Sequence, residues 1–97
     1  MNQLTIIKKT LKANKKRLEK DFRVVEIAIF GSFVRGEQKR GGDLDILVEF
    51  DDAPDLLTFI KLERELEKVL GQKIDLVRKK SLREELREGI LSEMVEV

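Results

Sequence analysis

The chain contains no cysteine and no histidine. Their absence removes disulfides, thiolate zinc sites, cysteine nucleophiles and every mechanism built on an imidazole. If a metal is used at all, oxygen ligands remain, and carboxylates favour a hard cation such as Mg²⁺ or Mn²⁺. Long apolar runs are missing as well: no stretch approaches the roughly 20 residues needed to span a bilayer, and the N-terminus has no signal-peptide apolar region. No membrane partner is expected, and the cytoplasm is the expected location. An excess of one charge is also absent. Twenty basic residues against nineteen acidic ones leave a net charge of +1, which speaks against a protein built mainly to coat nucleic acid.

What is present suits one small domain over residues 1–97. The composition is 41% hydrophobic and 40% charged, enough for a core beneath a highly charged surface, and it argues against whole-chain disorder. The one local charge bias runs from Lys8 to Lys20, where Lys8, Lys9, Lys12, Lys15, Lys16, Arg17 and Lys20 meet only Glu19. Its plain reading is a solvated helix face, ahead of a surface for RNA or an acidic partner.

Hydrophobic spacing sets out the elements. Leu4, Ile7, Leu11 and Leu18 predict an amphipathic helix from about Leu4 to Lys20. Val24 to Phe30 is rich in β-branched residues and predicts a buried strand that runs into the turn Gly31-Ser32. Ser32 to Arg35 is expected to open a short helix with the Ser32 hydroxyl as its N-cap, followed by a polar loop from Gly36 to Gly42. Asp43 to Phe50 alternates as a strand does, with Leu44, Ile46 and Val48 on one face and Asp43 and Asp45 on the other. Asp55 to Leu70 predicts a helix that tolerates Pro54 at its start and is capped by Gly71. Lys73 to Arg78 predicts a third strand. Ser81 and Glu84 have capping-box spacing, and Leu82, Leu86, Ile90 and Met94 predict a last amphipathic helix whose apolar side is core, a helix dock or an oligomer interface. The order implies an α/β fold with a small sheet and flanking helices.

Chemistry concentrates in two places. Asp43 and Asp45 lie two residues apart on one predicted strand, so their carboxylates share a face at about 6.6 Å spacing. Asp75 interrupts the apolar run Lys73-Ile74-Asp75-Leu76-Val77, in a residue type that strands disfavour. Three carboxylates on neighbouring strands repel one another unless cations or protons neutralise them. The second place is Gly31-Ser32, where a glycine lets a phosphate approach the backbone and a hydroxyl and N–H groups can hold its oxygens.

Gly31-Ser32, Arg35-Gly36, Asp43-Leu44-Asp45-Ile46-Leu47-Val48 and the later Asp75 together resemble the minimal nucleotidyltransferases of the DNA polymerase β superfamily. The resemblance covers roughly the central half of the chain, Ile27 to Val77. It implies an α+β palm-like fold with a mixed sheet of three or more strands. It implies that Asp43 and Asp45 bind two Mg²⁺ ions, that Asp75 completes the site and helps activate the attacking hydroxyl, and that Gly31, Ser32 and Arg35 hold the triphosphate of ATP. One position departs from the family pattern: Gly42, after Gly41, stands where a serine commonly precedes the first aspartate.

The resemblance further implies an antitoxin that transfers AMP to a tyrosine of a helical HEPN-type toxin; the apolar face of the C-terminal helix separately offers a surface for a homo- or hetero-oligomer. Two other readings of the sequence stand beside it. One is a binding module that neutralises its partner by contact alone. The other is nucleotidyl transfer to a small molecule or an RNA end; the Lys8 to Lys20 helix is the only feature that favours RNA.

Overall fold

The computed structural model describes residues 2–37 and 42–97. Part of the predicted loop from Gly36 to Gly42 therefore lies outside the described residues. Helix α1 (Gln3–Phe22) starts where the Asn2 side chain accepts a hydrogen bond from the Thr5 N–H, and it ends at Arg23 in a left-handed conformation. Strand β1 (Val24–Phe30) follows, then the short helix α2 (Ser32–Arg35), strand β2 (Leu44–Phe50), helix α3 (Leu56–Leu70) and strand β3 (Ile74–Arg78). A single 3₁₀ turn (Lys79–Ser81) leads to helix α4 (Glu84–Glu93) and a two-residue strand β4 (Val95–Glu96).

The four strands form one mixed sheet in the order β3-β2-β1-β4. β1 is antiparallel to both β2 and β4, whereas β2 and β3 run parallel. Parallel strands cannot be joined by a tight turn, so the chain returns through α3. Asp55 caps the start of α3 by accepting from the Thr58 N–H, and Gly71 closes its end in the left-handed conformation, with its N–H donating to the Glu67 carbonyl. The glycine stop is the one the sequence predicts.

Helices cover both faces of the sheet. Leu11 and Leu18 of α1 and Leu62 and Leu66 of α3 pack on Ile27, Ile29, Leu44, Ile46, Val48, Ile74 and Leu76. On the opposite face Ala28, Phe30 and Leu47 are buried against Val77, Leu82, Ile90, Leu91 and Met94. β2 is thus buried on both sides, and the alternation read in its sequence understates this because Leu47 faces a second core. Val24 and Ile27 reach the same core despite odd spacing, since the register of β1 against β2 shifts between Val24 and Glu26. Buried Glu49 is satisfied by the Arg78 Nε–H at 2.8 Å, the Phe50 N–H at 3.0 Å and the Lys80 N–H at 3.1 Å. Burial pushes its carboxyl up, but these donors outweigh that and hold it below the usual range.

Four local expectations need correction. The Ser81–Glu84 capping box does not form: Ser81 belongs to the 3₁₀ turn, and Arg83 takes the N-cap position of α4 without a side-chain cap bond. Ser32 is the first residue of α2 and not its cap; Gly31 occupies that position with no side-chain cap bond. Leu86 is 53% exposed and points away from the sheet, while Leu91 takes a place in the core beside Ile90. Met94 ends α4, and the chain then adds β4, a strand too short to leave a periodic signal.

Replacing Leu62, which is 1% exposed, by alanine should cost about 2–5 kcal/mol through lost burial and a residual cavity. A lower urea midpoint with an unchanged slope is the expected readout.

Candidate active site

The carboxylates collect at the end of the sheet where the parallel pair begins. Asp45 of β2 is the register partner of Asp75 of β3, and across the other edge of β2 it is paired with Phe30 of β1. Register partners project from the same face of a sheet, so Asp45 and Asp75 stand side by side. Asp43 precedes β2 by one residue; it lies close enough for its charge to act on Asp45. The Asp45 carboxyl is pushed up to about 6, chiefly by burial, then by the charge of Asp75 and a hydrogen bond with it, then by Asp43; Arg35 opposes the shift. Arg35 is thus the cation that acts against the carboxylate repulsion.

Gly31 locks the second half of the site to the first. It has φ +78° and ψ −151°, a region in which side chains other than glycine are strained. A Cβ built there would overlap Asp45 Oδ2. The residue can only be glycine for two separate reasons, and the same close approach sets the opening of α2 against the Asp45 carboxylate. The first N–H groups of a helix lack intrahelical partners, so the backbone N–H groups of Ser32 and Phe33 are the donors available beside the Ser32 hydroxyl. The carbonyl of Gly31 is itself occupied by the N–H groups of Val34 and Arg35.

Arg35 closes α2 and is gripped by two acids: its Nε meets Glu37 Oε2 at 3.0 Å and its Nη1 meets Glu93 Oε1 at 2.9 Å. Glu37 and Glu93 are the site-adjacent residues that sequence reasoning missed. Nothing in their spacing announces the clasp, since Glu93 approaches from α4, 58 positions away.

Among the described residues no three carboxylates already converge into a closed metal cage. Asp45 and Asp75 are adjacent, and Asp43 reaches them by its field. Two grooves of about 360 and 440 Å³ elsewhere on the molecule include none of the three aspartates. They carry none of the chemistry, and the carboxylate cluster is the better guide to the site because it has both like-charge strain and a steric lock.

The nucleotidyltransferase domain family matches residues 7–97. The chain belongs to this family. The nucleotidyltransferase is 48% identical over 99 residues to the protein adenylyltransferase MntA of Thermococcus cleftensis, with all of both chains covered. A protein from Methanocaldococcus jannaschii is 49% identical over 82 residues, which are 84% of this chain and 95% of that one. A solved structure assigned to the minimal nucleotidyltransferases superposes with a TM-score of 0.74 at 35% identity, covering 92% of this chain and 94% of that one. A toxin–antitoxin structure with AMP-PNP superposes with a TM-score of 0.69 at 26% identity, covering 88% of this chain and 70% of that one. The four-stranded mixed sheet with its helices is therefore the fold of these transferases, and the enzyme class is nucleotidyl transfer.

Two outcomes follow from the site. Gly31→Ala should destabilise the fold by about 1–3 kcal/mol from backbone strain alone, with activity lost beyond that through displacement of Asp45. Asp45→Asn should show a pH-dependent gain. In the folded protein Asp45 holds its proton up to about pH 6, against an ordinary 3.8, so its contribution to stability is full below the ordinary value and is lost as pH rises through 6. The melting temperature of the asparagine variant should accordingly exceed that of the wild type at pH 8, with the difference closing towards pH 4.

Proposed function

We propose that the chain is a Mg²⁺-dependent protein adenylyltransferase that moves AMP from ATP to a tyrosine hydroxyl of a HEPN-type toxin, and so serves as the antitoxin of a cytoplasmic toxin–antitoxin pair. The observation that carries the reading is the registered pair Asp45–Asp75, with Asp43 beside it and Gly31 packed against it. The name of the Thermococcus relative, protein adenylyltransferase, and the toxin–antitoxin neighbour with AMP-PNP support the acceptor class and the donor.

The donor set fits a hard divalent cation. Asp43, Asp45 and Asp75 offer only oxygens, and Asp45 is raised by burial and by its acidic neighbours, an energetic cost that a cation would relieve. Mg²⁺ held by these three aspartates would supply charge neutralisation for the triphosphate and alignment of the attacking and leaving oxygens.

The chain's own groups do the rest. Gly31 permits the triphosphate to lie along the backbone, the Ser32 hydroxyl donates to a phosphate oxygen, and Arg35 presents the guanidinium hydrogens left free by Glu37 and Glu93. The acceptor oxygen attacks the α-phosphorus in line, the bond to pyrophosphate breaks, and the acceptor's proton passes to Asp75. In this reading residues 1–97 act as one transferase domain, and the acceptor, itself a folded protein, brings its own binding surface.

The test incubates the protein with Mg²⁺, α-labelled ATP and a helical HEPN-type ribonuclease, followed by intact mass. Addition of one or more AMP units to the partner is expected, with none from an Asp43→Asn/Asp45→Asn variant and about 10²–10⁴-fold slower transfer from Asp75→Asn. If the wild type transfers nothing, yet it and the double variant silence the ribonuclease equally, neutralisation by contact replaces the catalytic reading.

A further inference from the structure

Helix α1 carries a charge pattern that the transferase site does not use. At 3.6 residues per turn, Lys8, Lys9, Lys12, Lys15, Lys16 and Lys20 fall on one face roughly 140° wide and about 18 Å long. Glu19 is the only acid on that face, and among the described residues none of the six lysines makes an ion pair, whereas Arg17 on the opposite side of the same helix meets Glu65 at 2.8 Å. With nineteen acids in the chain, six lysines around a single acid are a segregation of charge, and crowded lysines repel one another at spacings below the ~8 Å screening length of physiological salt.

The same face borders a groove of about 440 Å³ whose walls are Leu4, Thr5, Lys8, Lys9 and Lys12 of α1 and Val95 of β4. Val95 reaches it because it pairs with Ile29, which faces α1, whereas Glu96 pairs with Ala28, which faces α4. The one acid of β4 is thereby turned away from the lysines. Lys15 Nζ donates to the Val97 carbonyl at 2.9 Å and ties the helix to the strand that forms the far wall.

We propose that this groove is a docking site for an acidic, amphipathic segment of a protein partner. The apolar floor of Leu4 and Val95 takes an apolar side chain, and the lysine rim takes the flanking carboxylates. Nucleic acid fits less well, because a phosphate backbone gains nothing from that floor and the groove has no aromatic side chain on which a base could stack. Leu4 also lines a neighbouring hollow of about 230 Å³ with Phe33, Val34 and Gly36. A segment seated in the groove therefore lies next to α2, the element that carries Ser32 and Arg35. The docking stands on the groove alone; its use in presenting an acceptor to the site rests on the transferase reading.

The test uses the full chain without nucleotide. Three labelled probes are compared by fluorescence anisotropy: a helical peptide with glutamate on one face and leucine on the other, the same peptide with glutamine for glutamate, and a single-stranded oligouridylate. The glutamate peptide should bind, weaken as salt rises, and bind about tenfold less tightly to a Lys8→Glu/Lys12→Glu variant. That variant should melt no lower than the wild type, since it relieves lysine repulsion, and backbone amide shifts on peptide addition should centre on Leu4 to Lys16 and Val95. Equal binding of the glutamine peptide, tighter binding of the oligouridylate, shifts centred elsewhere, or no binding would each overturn the proposal. Because the assay contains neither ATP nor an acceptor hydroxyl, its failure leaves the transferase reading intact, and loss of AMP transfer leaves the groove untouched.

Discussion

Strands β2 and β3 run parallel, so the chain must travel back along the sheet between them, and α3 is that return path. The helix has to lie on one face, where it meets α1 and forms the larger core. The other face is left for α4. Both start points of the parallel pair then fall at one end of the sheet, which is where Asp45 and Asp75 come to stand in register. The site is therefore a consequence of strand direction, and an antiparallel pair would have placed one aspartate at each end.

That placement is electrostatically costly in the isolated protein. Asp45 is partly buried beside two like charges, and Arg35, the opposing cation, is shared with Glu37 and Glu93. The remainder of the fold tolerates the cost because the core beneath is continuous: Leu44, Ile46, Leu47 and Val48 on either side of Asp45 are all essentially inaccessible to solvent. A rigid strand with a strained carboxylate near its start favours ligands that bring positive charge, and Gly31 holds the opening of α2 directly against that carboxylate.

The strands β1 and β3 and the helices α1 and α3 are legible in the sequence because each carries a strong period and a recognisable stop, such as Gly71. Asp45 and Asp75 stand out in the sequence as candidates because an aspartate within an apolar strand run defies strand preference. What is not legible depends on distant partners. The register that puts Asp45 against Asp75 is set by packing, and the Glu93 grip on Arg35 spans most of the chain. β4 is too short for periodicity to show, and the supposed capping box fails because the 3₁₀ turn uses up Ser81 before the helix begins. Leu86 fits a four-residue repeat on paper, yet α4 turns its Ile90–Leu91 side to the sheet and leaves Leu86 exposed.

The sheet's outer border has a further consequence. β4 covers β1 only at Ala28 and Ile29, with one added bond from the Val97 N–H to the Ile27 carbonyl. The part of β1 from Val24 to Glu26 therefore has no ladder partner on that side among the described residues, and Val25 is 57% exposed there. An open apolar strand border invites another chain to add to it and seed aggregation. Here β1 is irregular where it meets β2, between Val24 and Glu26, and Glu26 brings a carboxylate into this stretch, paired across β2 with Lys79 Nζ at 3.0 Å. An irregular backbone and a charged side chain in the short unpaired stretch make it a poor template for a further strand.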